Sequence, residues 1–178
     1  RQRQMCIRDR FIHNEGLLEA CLPNANITWT RFPAGQDIVQ GFAAGSADIG
    51  FVGSTPAAKA LSAPLNLDVK VPLINVLNQE SEALVAKHAK TIQELKGKKI
   101  ATPFSSTSHY ALLNALKQAG LDPKHDVEIV NISPDKLPAA WKSNEVEAAF
   151  IWNPTLAELQ RTGTTPVSYT HLTLPTNR

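Results

Sequence analysis

The chain has 178 residues, of which 43% are hydrophobic, 19% charged and 6% aromatic, enough apolar material for one sizeable core or two small lobes and too much for a mainly disordered chain. No run approaches the roughly 20 consecutive apolar residues of a membrane-spanning helix, and two cysteines with five scattered histidines offer neither a zinc-ligand spacing nor a multi-disulfide scaffold. The formal net charge of +2 depends on the two ends.

Val167–Pro175 can be encoded as GTCTCTTATACACATCTGACGCTGCCG, and the complementary strand of that segment translates as Arg-Gln-Arg-Gln-Met-Cys-Ile-Arg-Asp, the sequence of Arg1–Asp9. Two protein ends have no physical reason to be antisense copies of each other, and the string resembles a transposase-derived library adapter. Residues 1–10 and 167–178 are therefore read as non-native, adapter-like ends. Setting aside Arg1, Arg3, Arg8 and Arg178 from 18 basic residues, and Asp9 from 16 acidic ones, with Arg10 at the boundary kept, leaves the interior near −1. The basic N-terminal arm loses its meaning as a nucleic-acid tail or signal-peptide segment, so no nucleic-acid partner is expected.

In chain order, Phe11, Ile12, Leu17, Leu18 and Cys21 recur at helical spacing and predict a helix over Phe11–Cys21. Ile27–Phe32 alternates as a strand, Asp37–Ala44 forms a helix closed by Gly45, and Asp48–Val52 is a second strand leading into a helix over Ala57–Ser62. Leu67–Val76 and Glu82–Ala86 read as further strands, with a helical turn at Ile92–Leu95. Strands at Lys99–Ala101, Val127–Val130 and Ala148–Ile151 then alternate with helices at Ser108–Ala119, Pro134–Lys142 and Pro154–Arg161. This rhythm predicts an α/β fold of two lobes, each a parallel sheet covered by helices: residues 11–88 and 89–166, both partial, joined within Val85–Ile92. The first helix lacks a preceding strand, and the second lobe stops without a return segment, so the reading is of a chain truncated at both ends.

Gly53-Ser54-Thr55-Pro56 lies where a strand gives way to a helix, and its hydroxyls and unpaired backbone N–H groups suit either an ordinary N-cap or an anion. Phe104-Ser105-Ser106-Thr107-Ser108 repeats the arrangement in the second lobe with four hydroxyls where one cap needs one. Two such helix starts suit a cleft ligand with an anionic head. Trp152 follows a strand and either walls the cleft, faces a ligand ammonium or packs over the strand end. Glu82 is either a countercharge for an ammonium or a solvated strand start, and Tyr110, one turn into its helix, lies within reach of the cleft. His109 reads as a surface histidine, Trp29 and Trp141 as packing residues, and Cys21 as an inert buried thiol. No phosphate loop, zinc helix or nucleophile elbow is present, so neither a cofactor nor a catalytic group is expected.

Ser81–Val85, Lys98–Leu113, Val127–Asn131, Ala139–Trp141 and Ala148–Pro154, with Ala44–Gly50 and Gly53–Pro56 in the first lobe, resemble the aliphatic sulfonate/nitrate/taurine solute-binding family of ABC importers. The resemblance runs through nearly all of Phe11–Gly163 and is most specific at Phe104–Leu113. It implies a type II periplasmic-binding fold that closes on taurine or a related small sulfonate and presents the closed form to a membrane permease. It also implies a monomer when complete, located in the periplasm or lipid-anchored outside the cell membrane. Carried over by residue, Ser54, Thr55, Ser105, Ser106 and Thr107 hold the sulfonate and Trp152 lines the cleft; Glu82 matches the family pattern, and it and Tyr110 are added as ligand contacts from their own positions in the sequence rather than from the resemblance. The alternatives are a binder of another alkyl sulfonate or nitrate and, from a different class, a desulfinase-like enzyme using Cys21 as nucleophile.

Overall fold

A computed structural model describes residues 7–74 and 81–168. The chain divides into two compact units, Arg1–Phe32 and Pro33–Arg178.

In the first unit the expected helix Phe11–Cys21 is two helices, α1 (Ile7–Asn14) and α2 (Leu17–Cys21). The break is at Gly16, whose φ of 59° places it in the left-handed region that a residue without Cβ enters freely. Residues 27–32 form no strand despite their alternation, because among the described residues no second strand pairs with them to take their backbone groups. Trp29 is not core: it is partly exposed, its ring lies tilted by 35° against that of His13 with centroids 4.9 Å apart, and it donates its indole N–H to Glu19 Oε1 at 3.0 Å. That hydrogen bond lowers the Glu19 pKa. Cys21 is exposed rather than buried, since α2 turns none of its residues into a core.

The second unit opens with α3 (Gly35–Ala43), whose first turn is fixed by Asp37 Oδ2 accepting the Ala34 N–H at 3.0 Å. Helix α4 (Ser54–Leu61) packs on it closely enough that a Cβ on Gly35 would stand 2.7 Å from Pro56 Cγ. The strands expected at Asp48–Val52 and Leu67–Val76 are not formed over 48–52 and 67–74, where no ladder partner is present among the described residues; 75–76 lie outside them.

The remaining elements build the sheet: β1 (Glu82–Ala86), a 3-10 turn (Gln93–Leu95), β2 (Lys99–Thr102), α5 (Thr107–Gln118), β3 (Glu128–Asn131), α6 (Leu137–Lys142), β4 (Ala148–Trp152), α7 (Thr155–Leu159) and β5 (Thr164–Ser168). The strand order is β3-β2-β4-β1-β5, with β2 parallel to β3 and β4, and β1 antiparallel to β4 and β5. The sheet is thus mixed, not parallel as expected. Glu82–Ala86 is buried along its whole length, and a strand covered on both faces carries no alternation from which its direction could be read. Strand β5 was not expected; it extends into the segment read as adapter-derived, placing Val167 opposite Leu84.

Side chains alternate across the strands and make two cores. Leu84, Ile100, Ala148 and Phe150 pack with Leu112 and Leu116 of α5 on one face. Ala83, Val85, Ala101, Ala149 and Ile151 pack with Leu137, Trp141, Leu156 and Leu159 of α6 and α7 on the other. Trp141 is buried there as expected and donates to Thr162 Oγ1 at 3.0 Å. The turn into β5 presses on this second core: a Cβ on Gly163 would lie 2.7 Å from Val85 Cγ2, 2.9 Å from the Ala86 carbonyl oxygen and 3.0 Å from Trp141 Cζ2. Because one of those neighbours is backbone of a central strand, Gly163→Ala is expected to destabilise the unit by about 1–3 kcal/mol. A lowered urea midpoint with an unchanged slope is the expected result.

Candidate functional site

The two hydroxyl-bearing helix starts meet in space. Gly53, which precedes α4, approaches Thr107 at the start of α5 so closely that a Cβ there would lie 2.9 Å from Thr107 Cγ2. From the side of α4, Lys59 reaches across and donates to Ser105 Oγ at 3.0 Å. Ser54, Thr55, Ser105, Ser106 and Thr107 therefore belong to one locality, although they fall in two separate sequence segments.

The hydroxyls there are not equivalent. Ser106 is buried and fully committed: it donates to the Pro103 carbonyl at 2.6 Å and accepts the His109 N–H at 3.1 Å, the bond of an N-cap. Thr107 donates to Glu82 Oε1 at 2.6 Å, and Ser108 donates to Glu82 Oε2 at 2.8 Å. Ser105 adopts a φ of 57°, accepts from Lys59, and directs its own N–H to His109 Nδ1 at 3.2 Å. At α4 the cap residue Gly53 supplies no side-chain bond, and the first intrahelical bond is that of Ala57 N–H, so the Ser54 and Thr55 amides have no helical acceptor.

Glu82 is 9% exposed and lies in register with Trp152 across the β1–β4 pair. It is neither the solvated strand start nor a member of any ion pair found among the described residues. Burying a carboxylate is costly unless its oxygens are hydrogen-bonded, and the two hydroxyls meet that need. Trp152 is half-buried and packs against the second core. Tyr110 is 59% exposed, pointing away from the packed interior. His109 is half-buried rather than on the open surface, stacked on Phe104 with centroids 4.7 Å apart. The sequence reading missed Lys59, which carries no motif signal beyond being a lone cation in an alanine-rich helix.

The chain matches the family described as NMT1/THI5 like over residues 30–173, and it belongs to that family. It is 42% identical over 142 residues to the taurine-binding periplasmic protein of Escherichia coli strain K12, covering 78% of this chain and 43% of the relative. Among solved structures it is similar to the alkanesulfonate-binding protein SsuA of Xanthomonas axonopodis pv. citri bound to MOPS, with a TM-score of 0.78, 27% identity, and coverage of 93% of this chain and 58% of that one. The periplasmic aliphatic sulphonate binding protein SsuA of Escherichia coli matches with a TM-score of 0.67 and 32% identity over 91% of this chain and 56% of that one. The α/β fold with its mixed sheet is thus that of periplasmic binding proteins, and these homologues are binding proteins, not enzymes. The chain spans less than half the length of the curated relative it matches.

Two predictions test the local structure. Removing the Ser106 hydroxyl leaves the His109 N–H without its cap acceptor, so Ser106→Ala is expected to cost about 1 kcal/mol in thermal unfolding. Burial lowers the His109 pKa below its ordinary 6.5, so the folded chain binds fewer protons than the unfolded chain. The contribution is complete above 6.5 and is lost as the pH falls through 6.5 toward the lower folded value. Between about pH 7.5 and 5.5, wild type should lose more stability than His109→Gln, read from urea midpoints.

Proposed function

We propose that the chain is part of the solute-binding component of an ABC importer, which captures taurine or a related small sulfonate outside the cell membrane and delivers it to a membrane permease. The reading places the binding cleft between two α/β lobes of a type II periplasmic-binding fold, one drawn from residues 11–88 and one from 89–166 with β1 paired into its sheet, and takes the complete protein to be a monomer. One observation carries this reading: the starts of α4 and α5 abut at Gly53 and Thr107, bringing two sets of N-terminal helix amides to one place. Such amides bind oxyanions without activating them, in keeping with binding rather than catalysis. The likeness to the taurine-binding and alkanesulfonate-binding proteins supports a sulfonate as the anion.

Within the cleft, the Ser54 and Thr55 amides and hydroxyls and the Ser105 hydroxyl contact the sulfonate. Ser106 acts by shaping the turn, because its donor is spent on Pro103. Trp152 and Tyr110 bound the cleft. Titration calorimetry with taurine, ethanesulfonate and nitrate tests the assignment. Heat of binding with both sulfonates and none with nitrate is the expected result. Binding of nitrate alone would keep the anion site and overturn the sulfonate.

A further inference from the structure

We propose that His109 is a positioning residue of the site, whose Nδ1 lone pair holds Ser105 in the backbone conformation from which its hydroxyl meets the anion. The proposal rests on the sulfonate-binding reading above and adds to it a residue and a dependence on that residue's protonation.

Ser105 carries the strain of the turn before α5. Its φ of 57° lies in the left-handed region, which a residue with a Cβ keeps only where its surroundings hold it there. No glycine relieves the turn, which runs Thr102-Pro103-Phe104-Ser105-Ser106. Two side chains hold it instead. Asn131, at the end of β3 and 27 positions away, accepts the Phe104 N–H on Oδ1 at 2.9 Å, and His109 accepts the Ser105 N–H on Nδ1 at 3.2 Å. Both amides ahead of the helix are thus bonded inside the protein, so what Ser105 offers a ligand is its hydroxyl and not its N–H.

The imidazole is itself fixed. Its ring lies nearly parallel to that of Phe104, with 9° between the planes and centroids 4.7 Å apart, so it cannot swing away without giving up that contact. The His109 N–H is bonded to Ser106 Oγ at 3.1 Å, which anchors the backbone from which the ring projects. A ring nitrogen that accepts a backbone N–H carries no proton, so the neutral imidazole bears its proton on Nε2. Protonation would set an Nδ1–H against the Ser105 N–H, two donors facing each other, and the hold on Ser105 would be lost. The charged groups at this turn are Lys59 of α4, which donates to Ser105 Oγ, and Glu82 of β1, whose oxygens take the Thr107 and Ser108 hydroxyls. Burial, rather than either charge, lowers the His109 pKa below 6.5 and keeps the ring neutral. The sign of the pH dependence separates two roles: a histidine that touched the anion directly would bind it more tightly when protonated, whereas one that holds Ser105 as an acceptor binds it less tightly.

The test measures taurine binding by calorimetry on the whole chain. His109→Phe keeps a flat ring against Phe104 but has no acceptor, and should weaken taurine about three- to tenfold at about pH 8, the range for losing one hydrogen bond. His109→Asn, whose Oδ1 stands in for Nδ1, should bind within about twofold of wild type there. Between about pH 8 and 5, wild type should lose affinity as Nδ1 takes up its proton, while His109→Asn stays level. Unchanged affinity in His109→Phe overturns the proposal, as does wild-type affinity that rises on acidification. If His109→Phe fails to fold, the pH profile of wild type decides, and a level profile overturns the proposal. Failure of wild type to bind any sulfonate overturns the sulfonate-binding reading itself, and the role of His109 falls with it.

Discussion

The carboxylate of Glu82 is the group on which the geometry around it depends. It begins β1, a strand held between β4 and β5, and it takes the hydroxyl protons of two consecutive residues at the start of α5. A carboxylate this deeply buried would be expensive if left alone. Held by two hydroxyls at the positive end of a helix, it instead ties that helix to the sheet. The position of α5 fixes the turn at Ser105 and Ser106, and through Thr107 it fixes what Gly53 can approach.

The close approach at Gly53 has a plain steric basis. Any side chain there would run into Thr107, so only the residue without Cβ allows the two helix starts to abut. The arrangement brings unspent amides together from segments some fifty residues apart in the chain and then divides the nearby side chains by hydrogen-bonding capacity. Ser106 is used up in capping, Thr107 is left as an acceptor, and Ser105 is left as a donor. Counting hydroxyls in the sequence treats these three as alike; following each proton to its acceptor separates them.

Much of the second unit was legible from sequence, because its strands are short apolar runs bounded by turn residues and its helices carry a regular apolar face. Glu82–Ala86 and Ala148–Trp152 are of this kind. The segments 27–32, 48–52 and 67–74 were misread for one reason: alternation shows that a segment could be a strand, but a strand exists only where a neighbour takes its hydrogen bonds. Strand β5 is the converse case. Its ladder is made by backbone, so a terminal sequence read as foreign can still occupy the edge beside β1. In the site, the hydroxyl clusters stood out because they exceed what capping needs. The burial of Glu82 and the reach of Lys59 did not, because both are set by contacts between residues 25 and 46 positions apart.

A crystal structure of the chain with taurine tests the central claim most directly, since it shows where the sulfonate is held. The account predicts the sulfonate at the junction of α4 and α5, against the Ser54 and Thr55 amides and the Ser105 hydroxyl. Taurine bound away from the junction of α4 and α5 would contradict it.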